Sequence, residues 1–285
     1  MAPSLKSSYR FGSVQYDLGA RTHLMGILNV TPDSFSDGGK YYNHELAVRR
    51  GLEMVEEGAD FIDVGGESTR PGSDPVPVEE EIRRTIPVIE SLAKSTGIPI
   101  SIDTTKSAVA SRALDAGALV VNDVSGLRFD PLLADVVARN QASLVLMHMG
   151  GTPKTMQEHP EYVDVMASIV EFLREQTRVA GQKGIEQILV DPGIGFGKSV
   201  AHNTEIIRRL AELQELGYPV LIGPSRKSFI GKILDLPADE RLEGTAAAVA
   251  AAIMNGAHVV RVHDLRQMKR VAMTVDAIIH PTLSL

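Results

Sequence analysis

The stretch GALVVNDV, residues 117–124, carries the pattern on which the fold of this chain depends. A glycine, typical of a helix end, leads into an apolar run that finishes on Asn122 and Asp123. Two other stretches are alike, GADFIDVG at 58–65 and GAHVVRVH at 256–263. Each predicts a helix that ends at the glycine and turns directly into a short buried strand.

Short apolar runs alternate with helical stretches along the whole chain. We predict eight strands, at residues 24–29, 61–64, 98–103, 119–123, 143–147, 188–191, 220–223 and 259–262. We predict eight helices, at residues 44–57, 79–96, 107–116, 132–140, 162–180, 203–216, 242–255 and 264–279. Continuously apolar strands are typical of a parallel sheet covered on both faces. The pattern favours an α/β fold, a closed (β/α)8 TIM barrel, with a doubly wound open sheet as the alternative.

The segment before the first barrel strand, YRFGSVQYDLG at 9–19, predicts a short N-terminal β-hairpin that closes the bottom of the barrel. We therefore expect a hairpin extension at residues 1–22 and a single barrel domain at 23–285. Four loops rich in proline and glycine follow strands, at 29–40, 65–77, 149–160 and 191–199. In a barrel they would lie at the C-terminal face, where active sites are built.

Composition excludes several classes of function. The chain has 29 Lys and Arg against 36 Asp and Glu, a net charge of −7, and no basic block, which argues against nucleic acid or an anionic membrane as the main partner. It has no cysteine, which excludes thiol catalysis, disulfides and thiolate metal sites. The first ten residues, MAPSLKSSYR, contain no apolar signal segment, and we expect a cytoplasmic protein.

Polar residues recur where the predicted strands end, and this predicts one polar pocket at the barrel mouth. Asp103, Asn122 and Asp191 supply acceptors that suit the flat donor edge of a guanine-like heterocycle, with Lys227 as a nearby donor. Arg261 and His263 would supply a cationic patch for a phosphate or pyrophosphate. The alternative for these two is an intramolecular salt bridge, for example with Asp264.

Two apparent motifs are set aside. GIGFGKS at 193–199 resembles a Walker loop, but Pro192 stands where that motif requires a glycine, and we interpret the segment as a tight βα loop. His148 and His159 have no helical metal-ligand spacing, and we interpret both as loop or core histidines.

Seven longer motifs carry a family resemblance. They are NVTPDSFSDGG at 29–39, GESTRPG at 66–72, SIDT at 101–104, NDVSG at 122–126, DPGIGFGK at 191–198, SRKS at 225–228 and RVHD at 261–264. In this order they resemble the dihydropteroate synthases, pterin-binding TIM barrels of folate biosynthesis. The resemblance covers the chain from the hairpin onward.

The resemblance implies a transferase that condenses 6-hydroxymethyl-7,8-dihydropterin pyrophosphate with 4-aminobenzoate, through an SN1-like substitution assisted by Mg²⁺. It implies catalytic roles for Asp103, Asp191, Lys227, Arg261 and His263. It implies a pterin site formed by Asp103, Asn122, Met147, Asp191, Phe196 and Lys227. Pyrophosphate would bind to Asn29, Arg261 and His263, with Asn29 also close to the metal. The part that receives 4-aminobenzoate, and its sulfonamide mimics, would be Phe35, Thr69, Arg70, Pro71 and Ser228.

Two other functions stay open on the sequence. A methyltransferase acting on methyltetrahydrofolate would share the edge formed by Asp103, Asn122 and Asp191, but would not need Arg261 and His263 as an anion site. A non-catalytic pterin-binding paralogue is the second alternative. The resemblance also implies a homodimer formed through the late helices, where residues 246–252 form a face of small side chains that could pack closely against either the barrel or a partner.

Overall fold

The computed structural model describes residues 5–31, 40–68, 72–151, 156 and 161–280. Its centre is an eight-stranded parallel sheet in the order β8-β7-β6-β5-β4-β3-β10-β9. The strands are β3 His23–Asn29, β4 Phe61–Gly65, β5 Ile100–Asp103, β6 Val120–Asp123, β7 Ser143–Met147, β8 Ile188–Asp191, β9 Leu221–Ile222 and β10 Val259–Val262. A parallel bridge between Val190 and Val220 joins the two ends of the sheet, which confirms the predicted barrel.

Helices follow the strands and cover the outside of the barrel. They are α1 Lys40–Glu56, α2 Val78–Ser95, α3 Ser107–Asp115, α4 Leu133–Arg139, α5 Val165–Gln182, α6 Val200–Arg208, α7 Ser228–Leu234, α8 Leu242–Met254 and α9 Leu265–Ile279. Their inner faces and the outward strand residues form one large apolar core. The glycines predicted to end helices, Gly58, Gly117 and Gly256, have φ values of 97°, 106° and 93°, which favour a residue without a Cβ.

The N-terminal hairpin pairs β1 (Ser8–Phe11) with β2 (Val14–Asp17). Tyr9, Phe11 and Leu18 pack against inward-facing side chains near the N-terminal ends of the barrel strands. The Tyr9 hydroxyl donates a hydrogen bond to the backbone oxygen of Ile188. The hairpin therefore closes the bottom of the barrel, as predicted from residues 9–19.

The largest differences from the predicted helices occur in two segments. The helix predicted at 203–216 begins at Val200, because Ser199 and His202 form a capping box, and gives way to a 3₁₀ helix at Leu210–Leu216. Helix α7 was not predicted, because its seven residues are too few to show a helical period. None of the helices in the described part of the chain is long and apolar enough to span a bilayer.

Candidate active site

Strand alternation directs the polar residues into the barrel. Phe61, Val120 and Val259 point inward at the bottom, where they contact the hairpin. Residues two positions further along a strand face the same side, so Asp63, Asn122 and Arg261 also point inward. Asp123, one position after Asn122, points outward and accepts hydrogen bonds from the backbone N–H groups of Ser125 and Leu127. The inner polar layer thus lies directly above the apolar bottom layer.

Arg261 lies at the centre of this polar layer. Its Nε donates to Asp63 Oδ2 at 2.6 Å, and its Nη2 donates to Asp103 Oδ2 at 2.7 Å. Asn122 Nδ2 donates to the same Asp63 oxygen at 2.9 Å. Arg261 therefore forms intramolecular ion pairs with Asp63 and Asp103. The predicted alternative partner, Asp264, is bonded to Arg226 instead.

Asn29 and Asp103 approach each other across Gly65 at the mouth of the barrel. Gly65 is paired with Asn29 of β3 on one side and with Asp103 of β5 on the other. A Cβ at Gly65 would lie 3.7 Å from Asn29 Oδ1 and 3.9 Å from Asp103 Oδ2. Because Gly65 has no side chain, the space between the two neighbouring strands at this level is available to the side chains of Asn29 and Asp103.

Asp191, at the end of β8, faces the same pocket. Its Oδ1 accepts a hydrogen bond of 2.6 Å from the backbone N–H of Gly193. Gly193 has a φ of 70°, and a Cβ at this position would lie 1.9 Å from the backbone oxygen of His148. Only glycine fits this turn, and the turn holds the Asp191 carboxylate in place.

Lys227 and Phe196 form the next part of the wall. Lys227 Nζ lies 4.2 Å from the centre of the Phe196 ring, within the range of a cation–π interaction. Phe196 belongs to a small apolar cluster with Val124, Met147, Met149 and Met156. The predicted apolar contacts Met147 and Phe196 therefore lie together, beside the predicted cation.

The backbone before Lys227 is held in an unusual conformation. Arg226 has a left-handed φ of 55°, which is rare for a residue with a side chain. Its backbone N–H donates to Thr245 Oγ1, its backbone oxygen accepts from Arg241, and its guanidinium binds Asp264. These three contacts offset the cost of the conformation. They also fix the backbone from which the Lys227 side chain extends.

His263 lies next to Ser225, whose Oγ is 3.0 Å from Nδ1 of the imidazole. Burial lowers the pKa of His263 to about 4, and the positive charges of Arg261 and Arg226 add to this effect. Burial therefore favours the neutral form of His263, so Arg261 carries the fixed positive charge of the predicted anion site, and the cationic role of His263 stays a prediction. A neutral imidazole whose Nδ1 accepts a hydrogen bond from the Ser225 hydroxyl carries its own N–H at Nε2.

The buried carboxylates have shifted pKa values. Burial raises the pKa of Asp191 to about 6, opposed by the hydrogen bond from Gly193 and by the charge of Lys227. Burial also raises the pKa of Asp103, opposed by Arg261 and Lys227 and reinforced by Asp63. Perturbed acids and buried cations in one pocket are typical of a functional site.

Lys198 connects two loops behind this wall. Its Nζ lies 3.0 Å from His148 Nδ1 and donates to the backbone oxygens of His148 and Phe196 at 3.2 and 2.9 Å. Burial lowers the pKa of His148 to about 2, so the imidazole is neutral and accepts at Nδ1. The segment 193–199 is thus a βα loop tied to the loop after β7, in agreement with our interpretation of both the loop and His148.

Not every predicted site residue is seen in the pocket. Ser228, the first residue of α7, is exposed and adjacent in sequence to Lys227. Phe35, Thr69, Arg70, Pro71 and His159 lie outside the described residues. Asp63 was not predicted from the sequence. It stands two positions after Phe61 in the strand FIDVG and therefore faces the same side of the sheet, which could have identified it.

A metal ion would find few protein ligands in this pocket. No group of three acidic or histidine side chains suited to a metal occurs within the described ranges. The amide oxygen of Asn29 is a hard ligand of the kind that Mg²⁺ accepts, and Mg²⁺ commonly completes its shell with waters and substrate phosphates. The residues therefore fit a metal that is shared with a bound diphosphate.

Comparison with known proteins places the chain in a family. The profile of the family described as "Pterin binding enzyme" matches residues 25–263. Dihydropteroate synthase of Synechocystis is 48% identical over 270 residues, covering 94% of this chain and 93% of the relative. The Xanthomonas albilineans enzyme, solved with 4-aminobenzoic acid, is 44% identical with a TM-score of 0.90, covering 96% and 98% of the two chains. The Yersinia pestis enzyme, solved as a sulfonamide drug complex, is 40% identical with a TM-score of 0.90, covering 95% and 99%. The chain therefore belongs to the dihydropteroate synthases, a family of pterin-binding enzymes.

Proposed function

We infer that this chain is a transferase of folate biosynthesis that condenses 6-hydroxymethyl-7,8-dihydropterin pyrophosphate with 4-aminobenzoate. The products are 7,8-dihydropteroate and pyrophosphate. The observation that carries this inference is the convergence of Asp103, Asn122 and Arg261 on one buried layer at the barrel mouth. The acceptor Asp103, for a pterin edge, is in direct hydrogen-bond contact with Arg261, the cation for a diphosphate.

The acceptors define the pterin half of the proposed site. Asp103, Asn122 and Asp191 would accept from the amino and ring N–H groups, with Lys227 donating to the ring. Met147 and Phe196 would contact the ring faces, in keeping with their apolar cluster. Ser228 would belong to the 4-aminobenzoate side, together with Phe35, Thr69, Arg70 and Pro71. A methyltransferase would use the same edge, but Arg261 paired to it favours a substrate with an anionic tail.

The diphosphate half of the proposed site consists of Asn29, Arg261 and His263. Arg261 would stabilise the negative charge that grows on the leaving group. His263 would contribute a hydrogen bond from its imidazole to the diphosphate, whose negative charge would favour the protonated ring that burial disfavours. Asn29 would also hold Mg²⁺, which when bound supplies further charge stabilisation to the diphosphate.

The substitution itself is proposed to be SN1-like. The carbon–oxygen bond to the diphosphate breaks first, the arylamine nitrogen then bonds to the methylene carbon, and the amine loses its proton to solvent. Asp103 and Asp191 would stabilise the cation left on the pterin-methyl group. A large primary ¹³C isotope effect at that carbon, typical of associative displacement, would contradict this mechanism.

A pyrophosphate-release assay tests the function. We expect release to require both 4-aminobenzoate and the pterin pyrophosphate, with dihydropteroate formed in equal amount, and a sulfonamide to compete with 4-aminobenzoate. Release without the amine would indicate a hydrolase. Binding of pterin without any turnover would favour the non-catalytic paralogue.

We also propose a homodimer through the late helices. Ile233 on α7, Met254 on α8 and Ile278 on α9 are large apolar residues that are 55%, 63% and 66% exposed in the single chain. Light scattering should show a dimer that Met254→Glu dissociates. Leu132→Glu, an equally exposed position at the start of α4, serves as the control and should leave the dimer intact. An unchanged mass for Met254→Glu would argue against this interface.

Two expectations from the sequence stay predictions. One is the division into a hairpin extension at 1–22 and one barrel domain at 23–285. The other is the cytoplasmic location, which fits an enzyme acting on phosphorylated intermediates.

A further inference from the structure

Asp63 is a buried carboxylate that the roles proposed above leave unused. It lies in the middle of β4, and none of its surface is exposed. Its Oδ2 accepts from Arg261 Nε at 2.6 Å and from Asn122 Nδ2 at 2.9 Å. One oxygen atom therefore contacts a residue of the proposed diphosphate half and a residue of the proposed pterin half.

Charge balance alone does not explain this contact. Asp103 already forms an ion pair with Arg261 through Nη2. A second carboxylate in the same layer is costly, because two buried like charges oppose each other's ionisation. Asp63 instead orients the guanidinium of Arg261. Asp63 on β4 holds Nε and Asp103 on β5 holds Nη2, so contacts from two separate strands fix the plane of the group.

Asn122 depends on the same oxygen. A side-chain amide offers two N–H donors and one oxygen, and its rotation is decided by its hydrogen bonds. Because Nδ2 donates to Asp63, the amide oxygen is turned away from that carboxylate and is available as an acceptor. The orientation of this amide thus follows from Asp63.

We propose that Asp63 is a positioning residue that couples the two halves of the site, orienting Arg261 for a diphosphate and Asn122 for a pterin edge through a single oxygen atom. The proposal rests on the proposed function. It predicts that loss of the Asp63 charge damages both halves to a similar degree, whereas loss of Arg261 damages mainly the diphosphate half.

Asp63→Asn tests the coupling, because it keeps the size of the side chain and removes its charge. Calorimetry should show weaker binding of both inorganic pyrophosphate and the free base 6-hydroxymethylpterin, each by about 10- to 100-fold, the range for a lost charge-assisted hydrogen bond. The KM for the pterin pyrophosphate should rise while the KM for 4-aminobenzoate stays near its wild-type value. Ser101→Ala is the matched control, since Ser101 is buried next to Asp63 on β5 and neutral. It should bind both probes as wild type does.

A mutant cycle keeps the test decisive if Asp63→Asn folds poorly. Arg261→Met should weaken pyrophosphate binding strongly, and should weaken binding of the pterin base to a smaller extent because Asp103 loses its ion pair. The double variant Asp63→Asn/Arg261→Met removes the buried pair as a unit, which proteins often tolerate better than the loss of one partner. It should bind pyrophosphate as Arg261→Met does, and bind the pterin base more weakly than Arg261→Met does, because Asn122 has lost its anionic acceptor.

The outcomes separate this inference from the function on which it rests. If Asp63→Asn binds both probes like wild type, or loses only one of them, the coupling is wrong, while wild-type turnover leaves the synthase activity intact. If Ser101→Ala shows the same joint loss, the effect is one of packing, and the coupling is also wrong. Absence of dihydropteroate formation by the wild-type chain would instead remove the proposed function.

Discussion

Asp191 illustrates how burial moves the pKa of a single carboxyl group toward the physiological pH range. Burial disfavours its charged form, while the Gly193 N–H and the Lys227 charge support it, and the resulting pKa is about 6. In the proposed site the ionised form is the useful one, because only a carboxylate with both oxygens free of protons accepts from two neighbouring N–H donors. Protonation should therefore remove pterin affinity as the pH falls.

Binding of a free pterin base should consequently weaken as the pH falls through about 6, and the ionisation of Asp191 should contribute up to about tenfold per pH unit to this loss. Asp191→Asn should bind the base more weakly at pH 8 and should lack this step, leaving only the titration of Asp103. Calorimetry between pH 5 and 8, compared between the wild-type and the substituted chain so that any ionisation of the base itself cancels, measures both. A pH dependence unchanged by the substitution would contradict the assignment of this step to Asp191.

At the scale of the element, the loops after β7 and β8 act as one unit. Lys198 bonds the backbone oxygens of His148 and Phe196, and Tyr162 donates to the backbone oxygen of Gly197. The glycines permit this close approach, as the 1.9 Å between a Cβ at Gly193 and the His148 oxygen demonstrates. Asp191 and Phe196, which line the pocket, are thereby positioned by backbone packing behind them.

Gly193→Ala tests this packing, with Gly184→Ala as the matched control. Both glycines have positive φ values, 70° and 85°, but a Cβ at Gly184 meets nothing within 4 Å. Gly184→Ala should cost about 1–2 kcal/mol in the free energy of unfolding, from backbone conformation alone. Gly193→Ala should cost more and also weaken pterin binding. Denaturant titration and calorimetry provide the two readings, and equal effects of the two substitutions would show that the close approach is unimportant.

In the whole molecule, stability and chemistry occupy opposite ends of the barrel. The hairpin seals the bottom with aromatic packing, in which Phe11 lies 5.1 Å from Phe61 and 5.3 Å from Tyr16 between ring centres. The polar layer begins at Asp63, the next residue after Phe61 on the same strand whose side chain points into the barrel. Such a division allows the bottom to be weakened without altering the geometry at the mouth.

Phe11→Ala should therefore cost about 3–5 kcal/mol in the free energy of unfolding, the range for a buried phenylalanine. The KM values for both substrates should stay near wild type at temperatures where the variant remains folded. Val14→Ala, in the exposed half of the hairpin, should cost less than about 1 kcal/mol. A clear loss of pterin affinity in Phe11→Ala under these conditions would contradict the separation of the two ends.

The sequence by itself determined the barrel, because continuous apolar strands alternating with amphipathic helices admit few other folds, and because polar residues after such strands meet at one end. It also placed Asp103, Asn122, Asp191, Lys227 and Arg261 in that pocket, through motifs long enough to be specific. Only the tertiary structure decided which of these groups touch, and it gave Arg261 the partners Asp63 and Asp103 in place of Asp264. It also set the direction in which the pKa of His263 shifts, which is downward, since the cost of burying a charge depends on neighbours from distant parts of the chain. Periodicity reports which face of an element is apolar, whereas ion pairs, close backbone approaches and pKa values arise from contacts across strands, which no local pattern contains.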